Sequence, residues 1–249
     1  MEEHRIRLGA WVLTLTASFL GVDVSAAAPA AWAPMSSGIA GAGTEETCFG
    51  KTPTITGTEG ADDLEGTAGP DVIIVGGGND MVNAMGGDDL ICGGDGDDFL
   101  AGGDGEDKIS GGPGNDGIYG RDDDDLVLGG PGDDNVTGGG GDAGEDDLRG
   151  GGGNDYLLGQ NGDDRLSGGA GNDTLQGDGE NDQESGGPGD DLVAGDMGDD
   201  VLSGGSGDDR IFGNDADDHL DGESGIDTLN GGFGGDTCSH GESLVACEH

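Results

Sequence analysis

Aspartate returns at the same place of a nine-residue unit twenty times between Gly57 and Ser239. The carboxylates are Asp62, Asp71, Asp80, Asp89, Asp98, Asp107, Asp116, Asp125, Asp134, Asp146, Asp155, Asp164, Asp173, Asp182, Asp191, Asp200, Asp209, Asp218, Asp227 and Asp236. Units such as Gly93 to Ala101 (GGDGDDFLA) and Gly168 to Gln176 (GGAGNDTLQ) fit GGxGxDxUx, where U is a large aliphatic. Place one is Gly in eighteen units, place four in seventeen, and place eight is Leu, Ile or Val in eighteen. A unit this short cannot bury an apolar face alone, so the chain must stack its units into a solenoid. The phase slips once: Gly138 to Gly140 read as three extra residues before a unit that starts at Gly141.

The residue types make a coherent cation site. Glycine at places one and four permits positive φ and close approach of backbone to an ion, and Asn or Asp at place five tolerates the left-handed region. Hard divalent cations take six to eight oxygens from carboxylates and peptide carbonyls. Coils stack about 4.8 Å apart, so Asp98 and Asp116, eighteen residues apart, can grip one ion. No soft or imidazole cluster competes, which argues against zinc, copper or iron. Formal net charge is −46. Like charges about 4 Å apart repel by roughly 1 kcal/mol in water and about 4 at a protein surface. Without counter-ions the column opposes its own stacking, and the charge and low hydrophobicity favour a disordered chain.

On these repeats the chain resembles the RTX (repeats-in-toxin, haemolysin-type) calcium-binding family. The resemblance implies an all-β fold, a right-handed parallel β-roll (β-solenoid) of about ten coils. GGxGxD makes a turn, xUx makes a short strand, two units complete a coil, and the twenty aspartates ligate multiple Ca2+ ions, roughly one per pair of same-side stacked turns.

Two units depart from the pattern. Asp123 replaces the place-four glycine before Asp125, and in Gly177 to Ser185 Glu180 replaces glycine while Glu184 stands in the aliphatic column. Asp125 and Asp182 are therefore the weakest candidate ligands, with a looser coil at Asp182.

Residues 1–28 read as a signal peptide: Arg5 and Arg7, an apolar run from Ala10 to Val22, then small residues. The run is too short to span a bilayer, which takes about twenty residues. Residues 29–56 form an amino-terminal segment and cap, 57–239 the roll, and 240–249 a carboxy-terminal cap. A secreted, extracellular address follows, with four cysteines pairing by end, Cys48 with Cys92 and Cys238 with Cys247, as caps. Pro34 to Lys51 is expected to pack over the early apolar strands. Cys238 and Cys247 both fall at place eight of successive half-coils.

Alternate units alternate sheets, which puts Phe99, Tyr119, Tyr156 and Phe212 on one face, a surface for a glycan, cell-envelope polymer or another roll. Aromatics on exposed strands also stabilise sheets without any partner. With 8 basic against 54 acidic residues the chain is no nucleic-acid binder. The four histidines are scattered, and neither HExxH nor GxSxG occurs. The segments flanking the array are too short for a catalytic core, and the threonines form no ice-binding row. The expected protein is a non-catalytic calcium-binding structural module, with a calcium-dependent adhesin as the alternative.

Overall fold

The computed structural model describes residues 47–139 and 144–247. The expected signal segment, 1–28, lies outside the described residues, as do 29–46, 140–143 and 248–249.

A nonapeptide with one inward aliphatic can hide that side chain only between two sheets, and the chain forms two, each of eleven parallel strands. Successive strands alternate between them, so strands hydrogen-bonded within a sheet are two units apart. The first sheet runs from Ile55–Thr56 to Thr237–Ser239, the second from Asp63–Glu65 to Ser243–Val245. Most strands are six residues long, such as Phe99–Asp104, and continue from place seven through place three of the next unit. They are thus longer than the three-residue strands expected from xUx. A single file of fully or almost fully buried aliphatics from Ile73 through Leu100, Leu157 and Ile211 to Leu229 fills the space between the sheets.

Both expected disulfides are present, Cys48–Cys92 and Cys238–Cys247. Cys48 is fully buried, and the part of the Pro34 to Lys51 overlay before residue 47 lies outside the described residues. Phe99, Tyr119, Tyr156 and Phe212 all stand on the second sheet.

Two details of register differ from the sequence reading. Gly138 and Gly139 are not extra residues, because they complete the strand Asn135–Gly139. A Cβ on Gly138 would strike Asp146 Oδ2, the contact made by place one, and one on Gly144 would strike the Asp123 carbonyl, the contact made by place four. The three added residues therefore fall at place three, between Gly139 and Gly144, and the strands on both sides keep their pairing. At the other end, three residues, 240–242, separate place nine (Ser239) from the next outward strand position (Ser243), an interval of six residues elsewhere, and Leu244, not Cys247, pairs beside the place-eight Leu229. Cys247 passes beyond the last strand. There it meets Cys238 with a Cα separation of 5.7 Å, a distance that two facing sheets about 10 Å apart would forbid.

Candidate metal centres along the two turn edges

Every place-six aspartate from Asp71 to Asp236 is at most 7% exposed. From Asp80 to Asp236 its Oδ1 accepts a hydrogen bond from the amide of the aspartate one coil earlier, as in Asp80 N to Asp98 Oδ1 at 2.9 Å and Asp98 N to Asp116 Oδ1 at 2.9 Å. The same link crosses the insertion, from Asp125 to Asp146 at 2.8 Å and Asp134 to Asp155 at 2.8 Å. The Oδ2 atom is different. In eighteen aspartates, Asp80 through Asp236, it is buried without a hydrogen-bond partner. Orphaned buried carboxylate oxygens are costly, and a cation beside such a row would offset that cost.

The glycines build the cradle around that atom, though not as the sequence alone indicates. Place one does not take positive φ; from Gly93 onward it is glycine because there is no room for a side chain. A Cβ on Gly93 would lie 2.5 Å from Asp98 Oδ2 and 2.5 Å from the Gly111 carbonyl oxygen, so carboxylate and peptide oxygen converge on one spot. Positive φ belongs to places two and four, as in Gly94 and Gly96, which brings each backbone against the carbonyl of the preceding coil. Place-five Asn79, Asn115, Asn154 and Asn172 are not left-handed. They form an outer, exposed ladder running the opposite way, as in Asn115 N to Asp97 Oδ1 at 3.0 Å and Asp133 N to Asn115 Oδ1 at 2.9 Å.

Burial and mutual repulsion raise the carboxyls from Asp89 to Asp218. Asp107 is pushed up to about 7, mainly by burial, against the hydrogen bond from the Asp89 amide and with the charges of Asp89, Asp88 and Asp104. Asp125 reaches about 8 for the same first cause, with Asp146, Asp107 and Asp123 adding charge. Among the described residues no group of three His, Cys, Asp or Glu side chains forms a metal cluster. A cation on these edges therefore draws on peptide carbonyls beside the carboxylates, an all-oxygen set that suits a hard ion such as calcium.

The edges are not uniform. Asp71 is satisfied without metal: Thr54 Oγ1 donates to Oδ1 at 3.1 Å, and the Thr67 amide and hydroxyl donate to Oδ2 at 2.7 and 2.9 Å. Asp62 Oδ2 is taken likewise by the amide and hydroxyl of Thr58 at 2.6 and 2.9 Å. Beside Asp80 and Asp89, place one carries the fully buried Val75 and Ala84. Asp125 and Asp182, in contrast, keep the regular arrangement: Asp123 and Glu180 adopt positive φ as glycine would, and their carbonyls remain stacked against Gly144 and Gly198. The coil at Asp182 pairs over three residues with the strand Arg165–Ala170 and over five with Val201–Ser206. At the carboxy-terminal end Glu242 Oε2 accepts the Asp227 amide at 2.7 Å and so extends one ladder by a residue outside the repeat. Only the shortened turn brings Glu242 there, and the period-nine count does not point to it.

A family model for the RTX calcium-binding nonapeptide repeat, in four copies, matches residues 56–91, 93–127, 111–142, 119–157, 141–175, 158–193, 176–211 and 212–242. No curated protein matches the chain.

Proposed function

Because this chain belongs to the RTX calcium-binding nonapeptide repeat family, we propose that it is a secreted, non-catalytic structural module whose roll assembles as calcium bridges successive turns along each edge. The observation that carries this reading is the row of eighteen unpartnered, buried Oδ2 atoms, sixteen of which, from Asp98 onward, face the space that a place-one glycine leaves open. In this reading the ligands are the Oδ2 atoms from Asp80 to Asp236 together with peptide carbonyls of the stacked turns. Asp62 and Asp71 drop out of the set, since threonine donors hold their oxygens. Bound calcium supplies the positive charge that the aspartates lack among themselves. Residues 1–28 act as the cleaved signal, 29–56 as the amino-terminal cap, 57–239 as the roll and 240–249 as the closing cap.

Circular dichroism of the mature chain at pH 8 tests the reading. In chelator the β signal should be mostly absent, and millimolar calcium should restore it in a saturable, multi-site transition followed in parallel by calorimetry. A full β signal in chelator with no calcium uptake would overturn it.

A second reading, a calcium-dependent adhesin, draws on the second sheet. The Phe99 and Tyr119 rings lie 5.1 Å apart, with Phe99 43% exposed and Tyr156 36%. Retention on cell envelope with calcium should then be lost when Tyr156 and Phe212 become Ser; unchanged retention removes the adhesin role.

A further inference from the structure

Glu184 stands at place eight, in register with Leu166 on one side and Leu202 on the other. Every comparable position from Ile73 to Leu229 holds an aliphatic core residue, so the bland expectation is that Glu184 turns aside to reach water. It does not. The residue is 3% exposed, and neither Oε1 nor Oε2 makes a well-formed hydrogen bond; the Gly177 amide alone opposes the upward shift that burial and the charges of Asp182, Asp200 and Asp196 impose on its carboxyl.

Its direction is the informative part. Oε1 lies 2.7 Å from the point where a Cβ on Gly177 would sit, and Asp182 Oδ2 lies closer still to that point. At Gly93, Gly111, Gly129, Gly150 and Gly159 the second oxygen beside this point is the glycine carbonyl of the next coil. At Gly177 the Glu184 carboxylate takes that role. Two orphaned, buried carboxylate oxygens from different side chains thus converge on the metal side of one turn. Asp182 is otherwise regular: its Oδ1 accepts the Asp164 amide at 2.9 Å, and its own amide donates to Asp200 Oδ1 at 2.9 Å.

An aliphatic at this position would contribute about 1.5 to 3 kcal/mol by burial, whereas an unpaired buried carboxylate costs stability. A divalent cation removes that cost, since two carboxylates neutralise it. We propose that Glu184 is an additional calcium ligand, which together with Asp182 forms one site inside the core that has one more carboxylate than the other turns. Charge count among the ligands sets calcium affinity over several decades, so this site binds first and tightest. The inference rests on the reading that the turns bind calcium, and it adds a ligand outside the repeat's own turn.

The test is isothermal calorimetry with calcium on the mature chain, comparing wild type, Glu184→Gln and Glu184→Leu, with circular dichroism as a second readout. Wild type should show one site at least about tenfold tighter than the rest. Glu184→Gln, which keeps shape and removes charge, should bring that site down to the affinity of the other turns and leave the total stoichiometry unchanged. Glu184→Leu should weaken the same site likewise while raising the residual β signal in chelator, because the aliphatic column is restored. Calcium isotherms of both variants that superimpose on wild type would overturn the proposal and leave the turn sites standing, as a neutral buried acid predicts. No calcium uptake by any of the three proteins would instead overturn the reading on which it rests.

Discussion

The first four units and the sixteen that follow share one repeat but are held together differently. From Gly57 to Cys92, threonine hydroxyls and amides satisfy Asp62 and Asp71, Val75 and Ala84 add apolar bulk where later units have glycine, and Cys48–Cys92 joins residues 44 apart. From Gly93 onward each unit buries one aliphatic and one aspartate with an orphaned oxygen, with Glu184 and Cys238 as the exceptions in the aliphatic column. The same backbone turn is thus compatible with two stabilising schemes, one apolar and covalent, the other ionic. The first needs nothing from solution except at Asp80 and Asp89, whose Oδ2 atoms are orphaned like those that follow. The second leaves like charges facing one another until a cation arrives.

That contrast should be largest when calcium is removed. Amide hydrogen exchange in chelator at pH 8 is expected to lose protection from Gly93 onward while residues 71–92 keep it, because protection follows local packing. Uniform loss along the chain would erase the distinction between the two regions.

Acid should narrow the difference. Folded-state carboxyls are raised from 3.8 to about 6 for Asp134, about 7 for Asp116 and about 8 for Asp182, burial being the largest cause in each. A carboxyl raised in this way contributes stability that is fully present below 3.8 and is lost as pH rises through its folded value. In chelator the β signal of the later units should therefore grow as pH falls from 8 to 5. Calcium affinity should decline over the same range, since protons compete for Oδ2. A chelator signal that is flat across this window would show that the ladders do not govern folding.

The smallest expected effect sharpens the comparison at one residue. Thr67→Val removes a hydroxyl that donates to Asp71 Oδ2 and should cost about 1 kcal/mol of stability, equally with calcium and with chelator. In contrast, Asp116→Asn should lower stability in calcium alone. Equal calcium dependence of the two variants would show that Asp71 is a metal site after all.

Much of this was legible in the residues. Period nine, the aliphatic at place eight and the aspartate at place six predict stacked parallel sheets with a thin core, and the end-paired cysteines are where expected. The division of labour among the glycines was not legible, because lack of space at Gly93 and positive φ at Gly94 produce the same letter. Asp125 and Asp182 looked doubtful because Asp123 and Glu180 break the glycine pattern, yet neighbouring coils hold both in the left-handed conformation. The shortened last turn hid Glu242 and displaced Cys247, since a count by nine assumes that every turn has equal length.

By itself the sequence determined the repeat, and through it the architecture and the kind of ion, because twenty acidic turns in register have one economical way to stack. Tertiary structure decided which oxygen of each carboxylate is already engaged. Thr58 and Thr67 hold the aspartates of their own units from four residues away, a contact within the motif, whereas Thr54 reaches Asp71 from the preceding coil and Glu184 meets Asp182 inside the core, which only the stacking of coils decides.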